Sequence, residues 1–295
     1  MSTQARSVPA LQKGRDIKPS ASLRVAYAEK LLRLVTAMHH SATYWLMAEY
    51  RRQLPRVERY MAQDASPAVD ILATLKAQMR RQRRIFDEKS EAYADWFTRR
   101  ANSGATARAR VSLGELFGFT VPRMGNTRNV NNVLQAVKAE NINLIGDLAT
   151  KYFTELEGLI LRSVREGRDI AGLTRDLEER LGVVRRRALL IARDQNNKAS
   201  AAISRARMQD AGIHEAIWRH SGRSRHPRPS HEAADGHVFD LTEGMFIDGK
   251  MIFPGEEINC GCTAAPVMPR ANARSEAALA KARAAANSPL RRGPR

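Results

Sequence analysis

The chain has 295 residues and a formal net charge of +18, from 49 Lys and Arg residues against 31 Asp and Glu residues. This length allows one large domain or two to three small ones, each with a buried core. No stretch approaches the roughly 18 uninterrupted apolar residues of a membrane span, and the first residues lack the apolar segment of a secretory signal. We therefore expect a soluble protein that is made and kept in the cytosol.

The positive charge is spread along the whole chain. Residues 1–24 carry +4 and residues 269–295 carry +6, which leaves +8 of the total of +18 on residues 25–268. Each phosphate that a basic side chain neutralises releases a condensed counterion, so this distribution predicts a polyanionic partner such as double-stranded DNA, bound by non-specific electrostatics. A solvated basic face without such a partner is the alternative interpretation.

Both ends of the chain are predicted to be disordered. Residues 1–20 and 269–295 are poor in large apolar side chains and rich in Ala, Arg, Pro and Ser. Ordering them would bury too little surface to offset the loss of chain entropy. The Ala-rich part of the second segment could become helical on a partner.

Residues 21–125 are predicted to form long helices with an irregular linker at the end. An amphipathic run from Leu23 stops at Leu54-Pro55, because the residue before a proline is disfavoured in the helical region. Ser66 then offers an N-cap to a second helix, whose apolar side chains recur at spacings of four and seven until Gly104. The glycines and the proline that follow predict the linker.

Four arginines cluster on this second predicted helix. They are candidate contacts for nucleic acid, although a charged outer face is the commoner property of a long helix. The four are Arg80, Arg81, Arg83 and Arg84.

Residues 126–212 are predicted to be helical as well. Apolar side chains recur there at helical spacing, with Asp169 as a candidate N-cap and Gly182 as a terminator between two of the helices. The predicted helices cover about Val130–Val164, Ile170–Leu181 and Val184–Ala211.

The pattern changes in residues 213–268, which are predicted to form a small β-rich domain. Asp248-Gly249 predicts a hairpin, because this pair readily adopts the positive φ angles of a tight turn. The fold class is therefore predicted as α+β, with a large, mainly helical N-terminal region of long helices before this domain. The predicted strands are Ala216–Trp218, Val238–Phe239, Met245–Ile247 and Met251–Phe253.

Residues 218–266 contain both cysteines and most of the histidines in a distinctive order. A Trp-bearing strand is followed by a short basic loop that ends in His, an Asp-Gly, a Pro-Gly and a Cys-x-Cys before a Pro. The landmarks are Trp218, Arg228, His231, Asp235, Gly236, Pro254, Gly255, Cys260, Cys262 and Pro266. This order resembles the C-terminal domain of the phage Mu protein F-like family, and the helix IARDQNNKASAAISRARMQDAGI is similar to the helix that precedes that domain.

The resemblance implies a minor head (capsid) protein of a tailed phage or prophage. Such a protein would act in head morphogenesis, in association with the portal protein, the major capsid or scaffold protein and packaged DNA. It would stay in the host cytoplasm during assembly and then enter the virion head, without catalysis and without a membrane. Two positions depart from the family pattern: the loop SGRSRHPRPSH lacks an acidic residue, and Gly261 stands where the family often has Arg.

The cysteines indicate a metal rather than a disulfide. Cys260 and Cys262 are only two positions apart, which closes too small a loop for a useful structural disulfide. Zinc takes four tetrahedral thiolate and imidazole ligands, so these cysteines and His231 need one more residue to complete a closed structural site. The candidates for the fourth ligand are His226, His237 and Asp235.

The basic loop of this domain gives one alternative function, a zinc-stabilised nucleic-acid-binding module formed by residues 213–268. Its arginines are candidate contacts for nucleic acid, although the loop lacks the aromatic platforms used for single strands. The candidates are Arg223, Arg225 and Arg228.

A metal-dependent nuclease is the other alternative. His231 or His237 would act as base, with Asp235 and Asn259 nearby, because histidine and a metal can activate water. The acidic residues of this region lack the spacing of a magnesium motif. No catalytic residue is therefore predicted.

Overall fold

The computed structural model describes residues 11–59, 66–165, 170–222 and 227–269. The chain divides into two compact units, and each combines segments that are distant in sequence. The predicted division of the chain into a helical region of residues 126–212 and a small domain of residues 213–268 stays a prediction. The sheet unit contains Met1–Ala21, Thr98–Val137 and Asp194–Arg295, and the helical unit contains Ser22–Phe97 and Lys138–Arg193.

Four long helices account for most of the described residues, and a small antiparallel strand region follows them. The predicted α+β class is therefore confirmed. Among the described helices, none has an apolar stretch long enough to cross a membrane. The helices are α1 (Ala21–Arg59), α2 (Ser66–Phe117), α3 (Arg128–Arg165) and α4 (Ile170–Asp210).

Helix α2 begins at Ser66 but continues past Gly104 to Phe117, so the predicted end of this helix is wrong. Buried side chains at every fourth position, three of them alanine, explain the continuation, because they form a packing stripe and Ala has the lowest helical cost. Gly104 lies beside this stripe and is half-buried. The members of the stripe are Ala101, Ala105, Ala109 and Leu113.

Two other predicted helix ends are also wrong. Helix α1 runs to Arg59, past the expected stop at Leu54-Pro55, and the proline falls close enough to the end that few helical hydrogen bonds follow it. Helix α4 is continuous through Gly182, where two helices were predicted. Buried side chains on both sides of this glycine keep one face packed, namely Leu173, Leu177, Val184 and Ala188. The candidate N-cap Asp169 lies outside the described residues.

Buried aromatic side chains with satisfied hydroxyls form the core of the helical unit. Tyr27 stacks on Phe97 with ring centroids 4.4 Å apart and donates a hydrogen bond of 2.8 Å to Asn141. Tyr50 donates to Ser163 at 2.8 Å. A buried phenol needs such a partner, because an unpaired hydroxyl would lose its hydration without compensation.

His39 is a buried histidine in this core and should make stability depend on pH. Its Nδ1 lies 3.0 Å from the Tyr152 hydroxyl and its Nε2 lies 3.4 Å from the Thr43 hydroxyl. Burial lowers the pKa of His39, and the charge of His40 lowers it further. His39 is therefore harder to protonate in the folded state than in the unfolded chain, where histidine binds a proton near pH 6.5.

We expect the free energy of unfolding to fall as the pH drops from 7.5 to 5.5, by at most about 1.4 kcal/mol per pH unit for this single proton. The His39→Gln variant should show a flatter dependence in urea unfolding at the two pH values. His237→Gln, which removes an exposed imidazole, is the control and should keep the dependence of the parent protein. Equal slopes for the parent protein and His39→Gln would contradict the assignment.

The sheet unit contains a four-stranded antiparallel sheet with the order β1-β6-β2-β3 and a separate hairpin of β4 and β5. The hairpin turns at Asp248 (φ 51°) and Gly249 (φ 80°), as predicted. The four predicted strands are confirmed as β2 to β5. The strands are β1 (Leu11–Lys13), β2 (Glu215–Arg219), β3 (Val238–Asp240), β4 (Met245–Ile247), β5 (Lys250–Ile252) and β6 (Thr263–Pro269).

Strand β1 corrects the prediction that residues 1–20 are disordered, as far as residues 11–20 are concerned. It pairs with β6, with Leu11 opposite Pro269 and Lys13 opposite Val267. Gly14 then donates to the Pro266 carbonyl at 2.8 Å, and the Ile17 side chain is buried in the core of the sheet unit. Residues 1–10 lie outside the described part of the chain.

A buried arginine connects α4 to the segment between α2 and α3. Arg207 is 1% exposed and donates hydrogen bonds to Thr106 (3.0 Å), Asn102 (3.1 Å) and Asn126 (2.6 Å), and to the Gly125 carbonyl. These acceptors are uncharged. Burial lowers the pKa of Arg207, and the nearby Asp210 charge opposes this effect.

Candidate metal centre

Three buried residues of the sheet unit meet beside strand β2. His231 lies in α5 (Pro229–Ala233), a short helix that starts with proline in its first turn, where the missing N–H costs nothing. Cys260 and Cys262 lie in the segment that leads into β6. The imidazole is 2% exposed and packs edge-on against Trp218, with ring centroids 5.4 Å apart. Trp218 is itself fully buried, as expected for a core residue.

The ligand atoms of these three residues are spaced like corners of a zinc tetrahedron. His231 Nδ1 lies 3.5 Å from Cys260 Sγ and 3.7 Å from Cys262 Sγ, and all three atoms lie within 4.8 Å of one another. Bonds of about 2.0 Å to nitrogen and about 2.3 Å to sulfur at tetrahedral angles separate these atoms by about 3.5 Å. The cluster is therefore compatible with zinc.

A carboxylate lies on the other side of the imidazole. Glu257 Oε2 is 3.3 Å from His231 Nε2, outside hydrogen-bond geometry. Lys250 Nζ (2.5 Å) and Arg228 Nε (3.4 Å) contact the same carboxylate, and the hydrogen bond from Lys250 lowers the pKa of Glu257. A carboxylate at the non-ligating nitrogen is usual behind a metal-bound histidine, because it fixes the tautomer and the ring orientation. Nδ1 is the nitrogen that lies beside both cysteine sulfurs, so it is the one placed to bind a metal.

The two cysteines share a proton. A hydrogen bond from the Cys262 thiol lowers the pKa of Cys260 to about 5, and the same bond raises the pKa of Cys262. A metal binds the thiolate form of cysteine, so the lowered pKa of Cys260 favours metal binding at this position.

Helix α4 holds the cysteine segment in place through two polar side chains. The Asp194 carboxylate accepts the backbone N–H of Asn259 at 2.8 Å, and Asn197 donates to the Cys260 carbonyl at 3.0 Å. Asn259 has a positive φ of 61°, a conformation that these bonds support. Helix α4 thus fixes the backbone at Asn259 and Cys260.

Gly255, one of the sequence landmarks, permits a close approach of this segment to α4. It has φ 81°, and a Cβ added there would lie 2.9 Å from Ala201 Cβ and 3.2 Å from the Cys262 carbonyl oxygen. Gly236 has a similar φ of 83° with nothing near its Cβ position. A side chain at either glycine would strain the backbone, but only a side chain at Gly255 would also overlap neighbouring atoms.

We expect Gly255→Ala to lower the free energy of unfolding by more than the roughly 1–3 kcal/mol that a positive φ costs a non-glycine residue. Gly236→Ala is the matched control, which should show only the strain. Urea unfolding of both variants measures the difference. Equal losses would show that the close approach to Ala201 is unimportant.

The predicted fourth ligands do not join the cluster in the described part of the chain. His237 is exposed and is not one of the three clustered residues. Asp235 accepts the backbone N–H of His220 at 2.8 Å and lies 3.7 Å from Arg219, so its carboxylate has a structural role. His226 lies outside the described residues.

The candidate nucleic-acid contacts occupy two regions. Arg80, Arg81, Arg83 and Arg84 are exposed on α2 in the helical unit. In the sheet unit, Arg228 is engaged by Glu257 and donates to the Ile258 carbonyl at 3.1 Å. Arg223 and Arg225 lie outside the described residues.

Sequence reasoning missed Glu257, Asp194 and Asn197 as residues of this site. Asp194 and Asn197 belong to a run of polar residues in the middle of an apolar helical pattern, which is a usable signal for buried polar contacts. Glu257 carried no local signal, because one of two adjacent glutamates before Cys260 reads as an exposed turn residue.

The sheet unit thus contains a buried Cys-Cys-His cluster, compatible with zinc, in a small antiparallel strand region. Residues 154–265 match the model of the family described as Phage Mu protein F like protein, so the resemblance to the phage Mu protein F-like family is confirmed over that segment. A curated protein of Haemophilus influenzae, described as an uncharacterized protein, is 26% identical over 263 residues, which are 87% of this chain and 56% of the relative. This chain therefore spans little more than half the length of that relative. No solved structure matches the chain.

Proposed function

We propose that the protein is a minor head protein of a tailed phage or prophage, which acts in head morphogenesis with the portal, the capsid or scaffold and packaged DNA. The observation that supports this most is that the family match over residues 154–265 contains the whole buried cluster of Trp218, His231, Cys260 and Cys262. This family is a structural phage protein family, which favours a role without catalysis. Assembly would take place in the host cytoplasm, and the protein would then enter the virion head.

Deletion of the gene from an inducible prophage tests this role. We expect induced cells to contain few DNA-filled heads by electron microscopy, and plasmid expression of the protein to restore them. A tagged protein should sediment with heads and co-purify with the portal protein. Normal, filled heads in the deletion strain, together with a tagged protein that stays out of heads, would contradict the proposal.

We also propose that His231, Cys260 and Cys262 hold a structural zinc ion. A closed site would make metal-binding energy part of the folding energy of the sheet unit. Elemental analysis of the purified protein should give about one zinc per chain, and the Cys260→Ser, Cys262→Ser double variant should lose both the zinc and the fold of this unit. His237→Gln, the control, should keep its zinc. A parent protein without metal and a double variant with an unchanged fold would exclude the site.

The fourth ligand is tested by the same measurement. His226→Gln removes the predicted ligand that lies outside the described residues. Loss of zinc in this variant would identify it as the fourth ligand. Full zinc content would leave the fourth position to water or to a partner.

Non-specific binding to DNA is the third part of the proposal, supported by the net charge of +18. The candidate contacts remain the arginines on α2 and in the loop before α5, although Arg228 is already paired with Glu257. Binding should weaken with salt, with a log–log slope of about −0.9 for each phosphate neutralised and no dependence on sequence. A slope near zero would contradict this part.

The nuclease alternative has no support in the described residues. The Asp235 carboxylate is engaged by the backbone N–H of His220 and by Arg219, and His237 is exposed and is not one of the clustered residues. A base, a metal ligand and a water site must converge for hydrolysis. DNA cleavage that His231→Ala abolishes in an otherwise folded protein would restore this alternative.

A further inference from the structure

The helical unit contains a groove to which neither the metal centre nor the family match gives a role. It lies between α2 and α3 and has a volume of about 710 Å³, within the usual range of ligand sites. Its floor is apolar and is formed by Met79, Ala149 and Phe153, of which the last two are buried. A concave apolar floor at the surface is unusual for a helix pair that only packs internally.

The rim of this groove is strongly basic. Lys76 lies 3.9 Å from Glu157, and Arg83 lies 3.6 Å from Asp87 and donates to Thr150 at 3.1 Å. Arg80 and Arg84 also line the groove and have no ion-pair partner among the described residues. They are four positions apart, so they project from the same face of α2. Two uncompensated guanidinium groups therefore stand beside the apolar floor.

The apolar floor and the basic rim together indicate which kind of partner the groove could bind. A DNA backbone supplies phosphates but no apolar group that could fill the floor. The ends of this chain are themselves basic, with +4 on residues 1–24 and +6 on residues 269–295, so charge excludes them as occupants. Guanidinium groups pair with carboxylates through two parallel hydrogen bonds, and methionine adapts its shape to an inserted side chain.

We infer that this groove binds an acidic amphipathic segment of a partner protein, with an apolar side chain on Met79 and Phe153 and carboxylates on Arg80 and Arg84. Amphipathic segments commonly bind in grooves between helices in this way, with apolar side chains inserted and charged side chains at the edges. The inference rests on the groove and does not depend on the phage function.

Fluorescence anisotropy with the full chain tests the inference. The probe is a labelled helical peptide of about four turns with Leu along one face and Glu on both sides of it. Two control peptides replace all Glu by Gln or all Leu by Ala, and a labelled DNA duplex tests the other polyanion. The groove variant is Arg80→Gln, Arg84→Gln. The matched control is Arg81→Gln, Lys89→Gln, which removes the same charge from exposed positions of α2 outside the groove.

We expect the acidic peptide to bind and both control peptides to bind at least about tenfold more weakly. The groove variant should lose about tenfold in affinity for the acidic peptide, while the matched control changes less than about twofold. Met79→Glu, which places a carboxylate on the floor, should also abolish binding. Circular dichroism confirms that each variant is folded.

Three results would overturn the inference. The first is no measurable binding of the acidic peptide. The second is an equal loss in the groove variant and the matched control, which would mean general charge attraction. The third is a groove variant that loses affinity for the DNA duplex and keeps it for the peptide, which would make the groove a nucleic-acid surface.

Discussion

Exchange of Glu257 for Gln is expected to lower the affinity for zinc by about 10- to 100-fold while the strands of the sheet unit remain paired. The Glu257 carboxylate lies behind His231 Nε2, and Gln keeps its size but not its charge. The imidazole would then be less basic and less firmly oriented, although Cys260 and Cys262 are unchanged. Competition with a coloured zinc chelator measures the affinity.

Lys250→Gln is the control for this prediction. It removes a neighbour of the same carboxylate, 2.5 Å away, but leaves the carboxylate itself facing His231. We expect its zinc affinity to stay within about threefold of that of the parent protein. An unchanged affinity in Glu257→Gln would show that the glutamate only forms surface ion pairs.

Replacement of Arg207 by Met is expected to lower the free energy of unfolding by about 3 kcal/mol, because the hydrogen bonds of a buried charged group are lost together. Met keeps an unbranched, apolar stem in the helix, so the loss reports on the guanidinium. Arg207 joins α4 to Thr106 on α2 and to Asn126 in the segment before α3. That segment should then lose its fixed position.

Urea unfolding measures the effect, and two further variants interpret it. Arg193→Met, an exposed arginine on the same helix, should change stability by less than about 0.5 kcal/mol. Arg207→Lys keeps the charge but not the planar fork, so an intermediate loss is expected. An Arg207→Met variant as stable as the parent protein would mean that the four acceptors are satisfied equally well by water.

The long helices could be predicted from sequence because their periodicity is local, but their ends could not. Gly104 and Gly182 read as terminators when each position is judged by its own propensity. Both are overridden by packing: Ala101, Ala105 and Ala109 form a buried stripe that carries α2 onward. Alanines four residues apart are easily overlooked when a helix is predicted from the spacing of large apolar side chains.

Strand β1 could not be predicted, because its pairing is non-local. Leu11 to Lys13 is too short to show alternation, and its partner β6 lies at the other end of the described chain. β6 itself contains two prolines, which argue against a strand in any local reading.

Part of the candidate metal centre could be predicted from residue chemistry alone. His231, Cys260 and Cys262 are residue types with few other reasons to occur together in this pattern, and the structure brings them within ligand distance. Of the residues around them, Asp194 belongs to a polar run in α4 that is a usable signal for buried contacts. Glu257 has no such signal, because its contacts with His231, Lys250 and Arg228 arise only from the fold.

The pairing of β1 with β6 has a consequence for the order of folding during synthesis. Strand β1 leaves the ribosome long before its partner, residues 263–269, because almost the whole of the described chain lies between the two strands. Closing so long a loop is entropically costly and slow, so the four-stranded sheet cannot be completed until residues 263–269 have been made. A nascent chain that stops before β6 would leave one edge of β2 unpaired, although β3 still pairs with its other edge. We expect such incomplete chains to aggregate or to be degraded.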